Sequence, residues 1–176
     1  MHQRKNKVGD QPAFLLSQAG AQPAFLLSQV GGHAASQFAE RLAVLRLTPP
    51  DVGILRLLST DAGISQRELS GRLGIHPSRL VAILDELERR GFVQRKPNKD
   101  DRRQYALHLT EDGKQALDEI GQIGRRYQEA LCAALSHEER KTLTELLQKI
   151  AREQRLTPGV HPGYRRMKPE SSHSSG

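Results

Sequence analysis

The sequence predicts a mainly α-helical protein that carries one small two-stranded β-hairpin. Apolar residues recur at helical spacing through most of the 176-residue chain, and capping residues precede most of these segments. Residues 92–109 differ, because apolar and polar residues alternate there on both sides of a turn-rich stretch, as in two strands. A chain of this length holds one domain with a hydrophobic core, or one small domain with dimerisation arms.

The first segment of the chain contains a direct repeat. QPAFLLSQ at residues 11–18 recurs at residues 22–29, a period of 11. Because eleven residues make three helical turns, both copies can continue one apolar stripe. We interpret residues 1–22 as an N-terminal arm or helix extension produced by duplication; a dedicated function of the first copy is the alternative. A helix is expected over residues 23–45, weakened by two adjacent glycines.

Three capped helices follow. The second helix begins at the N-cap Thr48 and ends before Gly63, and a short third helix lies between Ser65 and Gly74. The fourth begins at Pro77, a residue type favoured in the first helical turn. The apolar residues of this fourth helix share one face and are expected in the core: Leu80, Ile83, Leu84 and Leu87.

The second half of the chain predicts the hairpin and two longer helices. Strands are expected at residues 92–96 and 105–109, and Thr110 then caps a long helix with an apolar stripe. A last helix opens at Ser136 and is expected to bury four apolar residues, namely Leu143, Leu146, Leu147 and Ile150. Residues 156–176 have little to bury, so we expect a disordered tail.

A short capped helix, a tight turn, an amphipathic helix and a basic hairpin together form the plan of a winged helix-turn-helix DNA-binding lobe, here residues 48–113. The second of these helices would enter the major groove, and Arg79 has the geometry to bind a guanine through two hydrogen bonds. The residues predicted to face DNA from this helix are His76, Pro77, Ser78, Arg79 and Ala82. An ordinary solvated helix face is the alternative.

Charge supports this interpretation through its position. The net charge of +7 favours a polyanionic partner, but charge alone does not separate nucleic acid from a membrane surface or an acidic protein. Basic residues concentrate in the hairpin, where a wing would follow the minor groove: Arg95, Lys96, Lys99, Arg102 and Arg103. We expect phosphate contacts from Ser65, Gln66 and Arg67 at the start of the preceding helix. Any one of these charges could simply be solvated.

The wing sequence resembles a family signature. Asp101-Arg102-Arg103, followed by Leu109-Thr110 and Gly113, is similar to the D-x-R, five residues, L-T-x-x-G pattern of MarR-family regulators. Thr48-Pro49-Pro50 and the helix at residues 66–74 resemble the same family, and the match extends over about residues 25–152. The resemblance implies that Arg102 inserts into the minor groove and that Asp101 holds Arg103 by an ion pair.

The same resemblance implies a homodimeric transcriptional regulator, more often a repressor, that binds a pseudo-palindromic DNA operator. Residues 23–47 and 114–155 would supply interlocking dimerisation helices. It also implies a small aromatic or lipophilic effector in a cleft beside the DNA-binding lobe. Candidate lining residues are His33, Gln37, Arg41 and Leu58. Ordinary helix-face or core positions are the alternative for these four.

Competing functions find less support. Phosphate-binding loops, an H-E-x-x-H motif and paired metal-ligand spacings do not occur in the sequence, so we predict no catalytic residue, no metal and no cofactor. An architectural or protein-binding winged helix is the main alternative. The single cysteine, Cys132, is interpreted as a small buried thiol, with redox sensing as its alternative. With no apolar run near 18 residues, the sequence predicts a cytoplasmic protein without a membrane partner.

Overall fold

The computed structural model describes residues 22–97 and 105–165. By its backbone contacts the chain divides into two compact units, residues 1–40 and 41–176. The described part of the first unit belongs to helix α1, Pro23–Ala43, which runs without a break through the glycines at 31 and 32. The second copy of the repeat therefore opens this helix, whereas the first copy lies outside the described residues.

The second unit contains the predicted helices and strands in the predicted order. These are α2 (Pro49–Thr60), α3 (Gln66–Leu73), α4 (Pro77–Arg89), β1 (Val93–Pro97), β2 (Tyr105–Leu109), α5 (Glu111–Leu131) and α6 (His137–Glu153), followed by a short 3₁₀ helix, Pro162–Arg165. The predicted mainly helical fold with a two-stranded wing is confirmed. Among the described residues, no helix is both long and apolar enough to cross a lipid bilayer.

Polar caps explain where the helices begin. Before α2, the backbone N–H and the hydroxyl of Thr48 both donate to Oδ2 of Asp51, at 2.6 Å and 2.8 Å. Before α3, the Ser65 hydroxyl accepts a hydrogen bond from the backbone N–H of Glu68, as predicted for an N-cap. These bonds satisfy backbone N–H groups that have no partner within the helix itself.

The two strands form an antiparallel hairpin that is attached to the helical core. Val93 pairs with Leu109, and Pro97 pairs with Tyr105 near the tip. The backbone of Leu107 exchanges hydrogen bonds with Gly63 (2.8 Å) and Ile64 (3.0 Å), in the loop before α3. The base of the wing is therefore fixed against the helix-turn-helix.

The hydrophobic core fills the space between α2, α3, α4, the hairpin and the first half of α5. Its fully buried side chains include Ile54, Leu55, Leu69, Leu80, Leu84, Leu87 and Leu107. Gly113, on the first turn of α5, is required here: a Cβ atom at this position would lie 2.1 Å from the carbonyl oxygen of Phe92. Close approach between the hairpin and α5 thus explains the glycine of the L-T-x-x-G pattern.

The prediction that α6 buries its apolar stripe is wrong for a single protomer. Leu143, Leu146, Leu147 and Ile150 remain 39%, 55%, 39% and 45% exposed. No residue of α6, which lies wholly in the described part of the chain, is buried. Helical periodicity identified the apolar face correctly, but periodicity does not specify which surface covers that face.

The prediction of a disordered tail is also wrong for residues 157–165. The backbone turns at Thr157, whose carbonyl accepts a hydrogen bond from Val160, and then forms the 3₁₀ helix. Tyr164 is only 7% exposed and lies against Gly53 of α2. The burial of an aromatic ring over a glycine holds this otherwise polar segment against α2. Residues 166–176 lie outside the described part of the chain.

Candidate nucleic-acid interface

Helix α4 presents a polar N-terminal end to solvent. Leu80, Leu84 and Leu87 are buried as predicted, while Ile83 is only half-buried. The outward positions at the start of the helix, His76, Pro77, Ser78 and Ala82, are all exposed. The structure therefore brings these four predicted DNA-facing residues onto one accessible surface.

His76 and Ser78 interact with each other at this helix start. His76 is the N-cap residue of α4, and its ring Nδ1 lies 2.8 Å from the Ser78 hydroxyl. Its side chain makes no capping bond to the helix backbone. The backbone N–H groups of Ser78 and Arg79 in the first turn have no acceptor within the helix, and they lie at the positive end of the helix dipole.

Arg79 is placed differently from its neighbours. The sequence predicts an outward side chain, but Arg79 is half-buried, and its Nη1 donates a hydrogen bond of 3.1 Å to the carbonyl oxygen of Tyr164. The predicted base-reading arginine thus contacts the C-terminal segment in this structure. Sequence reasoning missed Tyr164, although a tyrosine in a polar tail was an available signal.

The turn between α3 and α4 is fixed by two features. Gly74 ends α3 with a positive φ of 64°, a conformation in which a side chain is disfavoured. The Ser70 hydroxyl is buried and donates to the carbonyl oxygen of Ile75 at 2.7 Å. A satisfied buried hydroxyl at this point holds the angle between the two helices. Sequence reasoning did not single out Ser70, because small polar residues are common in short helices.

The predicted phosphate contacts at α3 differ in accessibility. Arg67 is exposed, whereas Ser65 and Gln66 are half-buried. The Ser65 hydroxyl oxygen is the N-cap acceptor, and its backbone bridges to Ala106 of the wing. Arg67 is therefore the side chain of this group best placed to meet a phosphate, and Ser65 connects α3 to β2.

Arg95 acts as a clamp and not as a free wing cation. Its guanidinium Nη2 lies 2.6 Å from Oδ1 of Asp85, and its Nη1 donates to Oε2 of Glu88. Its backbone N–H also donates to Glu88, and the side chain is only 18% exposed. Its predicted DNA contact stays a prediction, because the structure shows the guanidinium engaged with these two carboxylates. The bonds from Arg95 of β1 to Asp85 and Glu88 hold this strand against α4.

The rest of the predicted wing is only partly described. Lys96 is exposed on β1, where a phosphate contact is accessible to it. The predicted tip contacts, Lys99, Asp101, Arg102 and Arg103, lie outside the described residues. Their assigned roles remain predictions from the sequence pattern.

At its other end, α4 is tied to the segment that precedes α2. Arg90 donates hydrogen bonds from Nη1 to the carbonyl oxygen of Arg46 (2.5 Å) and from Nη2 to that of Leu45 (2.8 Å). The same guanidinium stacks over the Phe92 ring, 4.6 Å from its centroid. Sequence reasoning gave Arg90 no such structural link, because its partners are backbone carbonyls that leave no trace in residue type.

The four predicted effector residues are divided between the two units, with His33 and Gln37 in the first and Arg41 and Leu58 in the second. Leu58 is 1% exposed within the lobe core, and its contact with an effector stays a prediction. Arg41 lies 4.9 Å from the centroid of the Tyr127 ring, and Gln37 donates to Glu40 at 3.0 Å. His33 is exposed on the other unit.

A different cavity opens beside the start of α5. It has a volume of about 240 Å³ and is lined by Leu45, Leu47, Phe92, Asp112, Gln115, Ala116 and Glu119. Sequence reasoning assigned none of these residues to a binding cavity. Within residues 22–97 and 105–165, no three His, Cys, Asp or Glu side chains are grouped closely enough to hold a metal ion. Cys132, at the end of α5, is half-buried.

Helices α3 and α4 pack on the core, the β-hairpin is held against α4, and the polar start of α4 is exposed. This combination defines a winged helix-turn-helix regulator of transcription. Residues 47–105 match the model of the MarR family. The chain is 35% identical over 126 residues to a protein of Thauera aromatica described as a putative transcriptional regulatory protein for the hcr operon, covering 71% of this chain and 76% of that protein.

Solved structures agree. Wild-type MarR in the apo form from E. coli superimposes with a TM-score of 0.67 and 28% identity, covering 73% of this chain and 96% of that one. CouR, described as a transcriptional repressor bound to a 23-mer DNA duplex, gives a TM-score of 0.66 and 30% identity, covering 84% of this chain and 99% of that one. The chain belongs to the MarR family of transcriptional regulators.

Proposed function

We propose that the chain is a sequence-specific repressor that binds a pseudo-palindromic operator as a homodimer. The exposed start of α4 carries the proposal, because it offers hydrogen-bonding side chains and free backbone N–H groups on a helix that is fixed by core leucines. The CouR relative, which is bound to a DNA duplex, supports the same mode of binding. Residues 48–113 would form the DNA-binding lobe.

On DNA, the N-terminal half of α4 would lie in the major groove. His76, Ser78 and Arg79 would contact bases or phosphates, and the small Ala82 would fit beside a thymine methyl group. The wing would follow the adjacent minor groove through Lys96 and the sequence-predicted Lys99, Arg102 and Arg103, with Asp101 pairing with Arg103. Arg67 would hold a phosphate at the start of α3, with Gln66 and the backbone around Ser65 beside it.

The proposal that two copies assemble rests on the uncovered face of α6. Four large apolar side chains on one helix face remain about half exposed in the protomer, an arrangement that favours burial against a second surface. Two further leucines, Leu131 of α5 and Leu156 beyond α6, are 39% and 48% exposed. We propose that residues 23–47 and 114–155 supply the dimer contacts. Half-sites would then lie about 10 base pairs apart.

A duplex selected by the wild-type protein from a random-sequence pool provides the test. We expect the purified protein to bind this duplex about 10³-fold or more tightly than a scrambled duplex at physiological salt. Titration with salt then separates the two modes, since phosphate contacts weaken for both duplexes while the preference persists. Equal affinities at every salt concentration would instead support the architectural alternative.

We further propose that a small aromatic or lipophilic effector releases DNA. The cavity beside α5 supports this, because Leu45, Leu47 and Phe92 give it apolar walls and Arg90 binds the carbonyl of Leu45. A ligand there would act on the segment that Arg90 connects to α4, and a coupling of about 1–3 kcal/mol is enough to release DNA. Neutral aromatic and long-chain alcohol probes should weaken binding of the selected duplex. A Leu47→Trp variant, which fills the cavity, should lose this response; release that survives in the variant would place the effector elsewhere.

A further inference from the structure

Residues 157–165 form a short segment that folds back onto the DNA-binding lobe, and we name it the C-terminal strap. It turns through the hydrogen bond from Val160 to Thr157 and ends in the 3₁₀ helix, where Tyr164 donates its backbone N–H to the His161 carbonyl at 3.0 Å. Three residues separate the end of α6 from the strap, which returns to α2 and α4.

The aromatic ring of Tyr164 anchors the strap at Gly53. A Cβ atom built on Gly53 would lie 2.7 Å from Cε2 of Tyr164, closer than van der Waals contact allows. Burial raises the pKa of the Tyr164 phenol above its usual value, and the nearby positive charge of Arg56 opposes that rise. The ring therefore occupies a space that exists only because residue 53 has no side chain.

The strap also holds the side chain that is proposed to read a base. Arg79 donates to the Tyr164 carbonyl oxygen at 3.1 Å and is half-buried. To bind a guanine edge, an arginine must extend into the groove and present two N–H groups in one plane. Arg79 cannot reach outward in this way while its guanidinium is turned back to the strap.

Away from Tyr164 the strap is loosely packed. Thr157, Pro158, Gly159 and His161 are exposed. A cavity of about 290 Å³ separates the first strap residues from α2 and α3, and Arg56 and Arg72 lie in its wall. A segment with one buried anchor and a gap beneath it can detach without disturbing the core.

We propose that the C-terminal strap is an autoinhibitory element that competes with DNA for Arg79. Docked, it turns the base-reading arginine away from the groove; released, it frees Arg79 to bind. The inference rests on the proposed function, in which Arg79 reads a base. The apparent affinity for DNA is then the intrinsic affinity reduced by the fraction of molecules whose strap is released.

Two full-length variants release the strap from opposite sides. Gly53→Ala places a methyl group against the ring, and since the ring is the end of a flexible side chain, the strap yields while alanine favours helix α2. Tyr164→Ala removes the anchor itself. We expect both to bind the selected duplex about three- to tenfold more tightly than wild type, as for a strap docked in most molecules. The matched control Tyr164→Phe retains the ring and should stay within about twofold of wild type.

Hydrogen exchange provides the independent readout. Exchange in residues 157–165 should rise in both variants, and it should rise in the wild type when the selected duplex is added. Faster strap exchange without tighter DNA binding would overturn the inference, as would unchanged strap exchange in both variants or protection of the strap by DNA. These results leave the proposed function intact as long as the wild type prefers the selected duplex. If the wild type shows no such preference, the proposed function fails and the inference fails with it.

Discussion

Two regions of this protein use leucine-rich helix faces in different ways. In α4, Leu80, Leu84 and Leu87 are buried by other helices and by the hairpin of the same chain. In α6, comparable apolar residues are spaced as regularly and remain exposed in the protomer. The DNA-binding lobe is therefore stabilised by contacts within one chain, whereas the apolar face of α6 is left uncovered by the described residues of the chain.

Leu146→Glu tests the exposed face of α6, and we expect the largest effect from this change. A charge at this exposed position leaves the protomer fold intact but makes burial against a second copy costly. We expect the dimer to dissociate and the affinity for the selected duplex to fall by about 10²–10⁴-fold, since the second half-site is no longer held by the same molecule. Sedimentation equilibrium and DNA titration measure the two effects.

Gln148→Glu is the matched control, because it adds the same charge to the same helix about half a turn away from the Leu146 side. It should remain dimeric. Dissociation of both variants, or of neither, would contradict a dimer interface on the face that Leu146 occupies.

Leu84→Ala tests the buried leucine face of α4. Leu84 is fully buried in the lobe core, so truncation is expected to lower the free energy of unfolding by about 2–5 kcal/mol. Urea unfolding measures this loss. Leu143→Ala on α6 is the counterpart: in a monomeric Leu146→Glu background it should cost well under half as much, because the protomer leaves Leu143 exposed. Equal losses would mean that α6 is packed within its own chain.

Arg79→Ala tests whether a residue of α4 outside its leucine face contributes to DNA recognition. The change should reduce the preference for the selected over the scrambled duplex by about 1–3 kcal/mol. Arg89→Ala, at the opposite end of the same helix and paired with Glu86, is the control and should leave that preference unchanged. Equal, sequence-blind losses in both variants would remove Arg79 as a reader of bases.

Asp51→Asn should have the smallest effect. Burial raises the pKa of the Asp51 carboxyl above its ordinary value of 3.8, against the lowering effect of its hydrogen bonds from Thr48. Since the folded-state pKa is raised, protonation favours folding, and this stabilisation is lost as the pH rises through that pKa. At pH 7 the variant should lie within about 1 kcal/mol of wild type. As the pH falls towards 3.8, the free energy of unfolding of the wild type, measured in urea, should rise relative to that of the variant. Parallel plots of this free energy against pH would contradict the prediction.

Most of the fold could be predicted from the sequence because its signals are local. Thr48, Ser65 and Gly74 mark helix ends through bonds or backbone angles that involve only near neighbours. The alternation in β1 and β2 likewise reports one face of a hairpin. These features need no knowledge of distant contacts.

The parts of the site that sequence reasoning missed depend on contacts between distant segments. Arg95 appeared to be a free wing cation because nothing in its neighbourhood shows that Asp85 and Glu88 lie beneath it. Tyr164 appeared to be part of a tail because its seat, Gly53, is far away in the chain. For α6, periodicity identified the apolar face correctly, but the prediction that this face is buried within the chain was wrong. An apolar stripe has the same spacing in a core and at an interface.

The link made by Arg90 has a mechanical consequence. Because one planar guanidinium binds two consecutive carbonyls, the C-terminal end of α4 cannot roll about its axis without lengthening one of the two bonds. The rotation of α4 about its own axis is thus restrained at the end opposite to His76 and Ser78, the end that we propose meets DNA. A lysine at this position would retain the positive charge but not the planar pair of donors, so the C-terminal end of α4 would lose one of its restraints while its leucines kept it in the core.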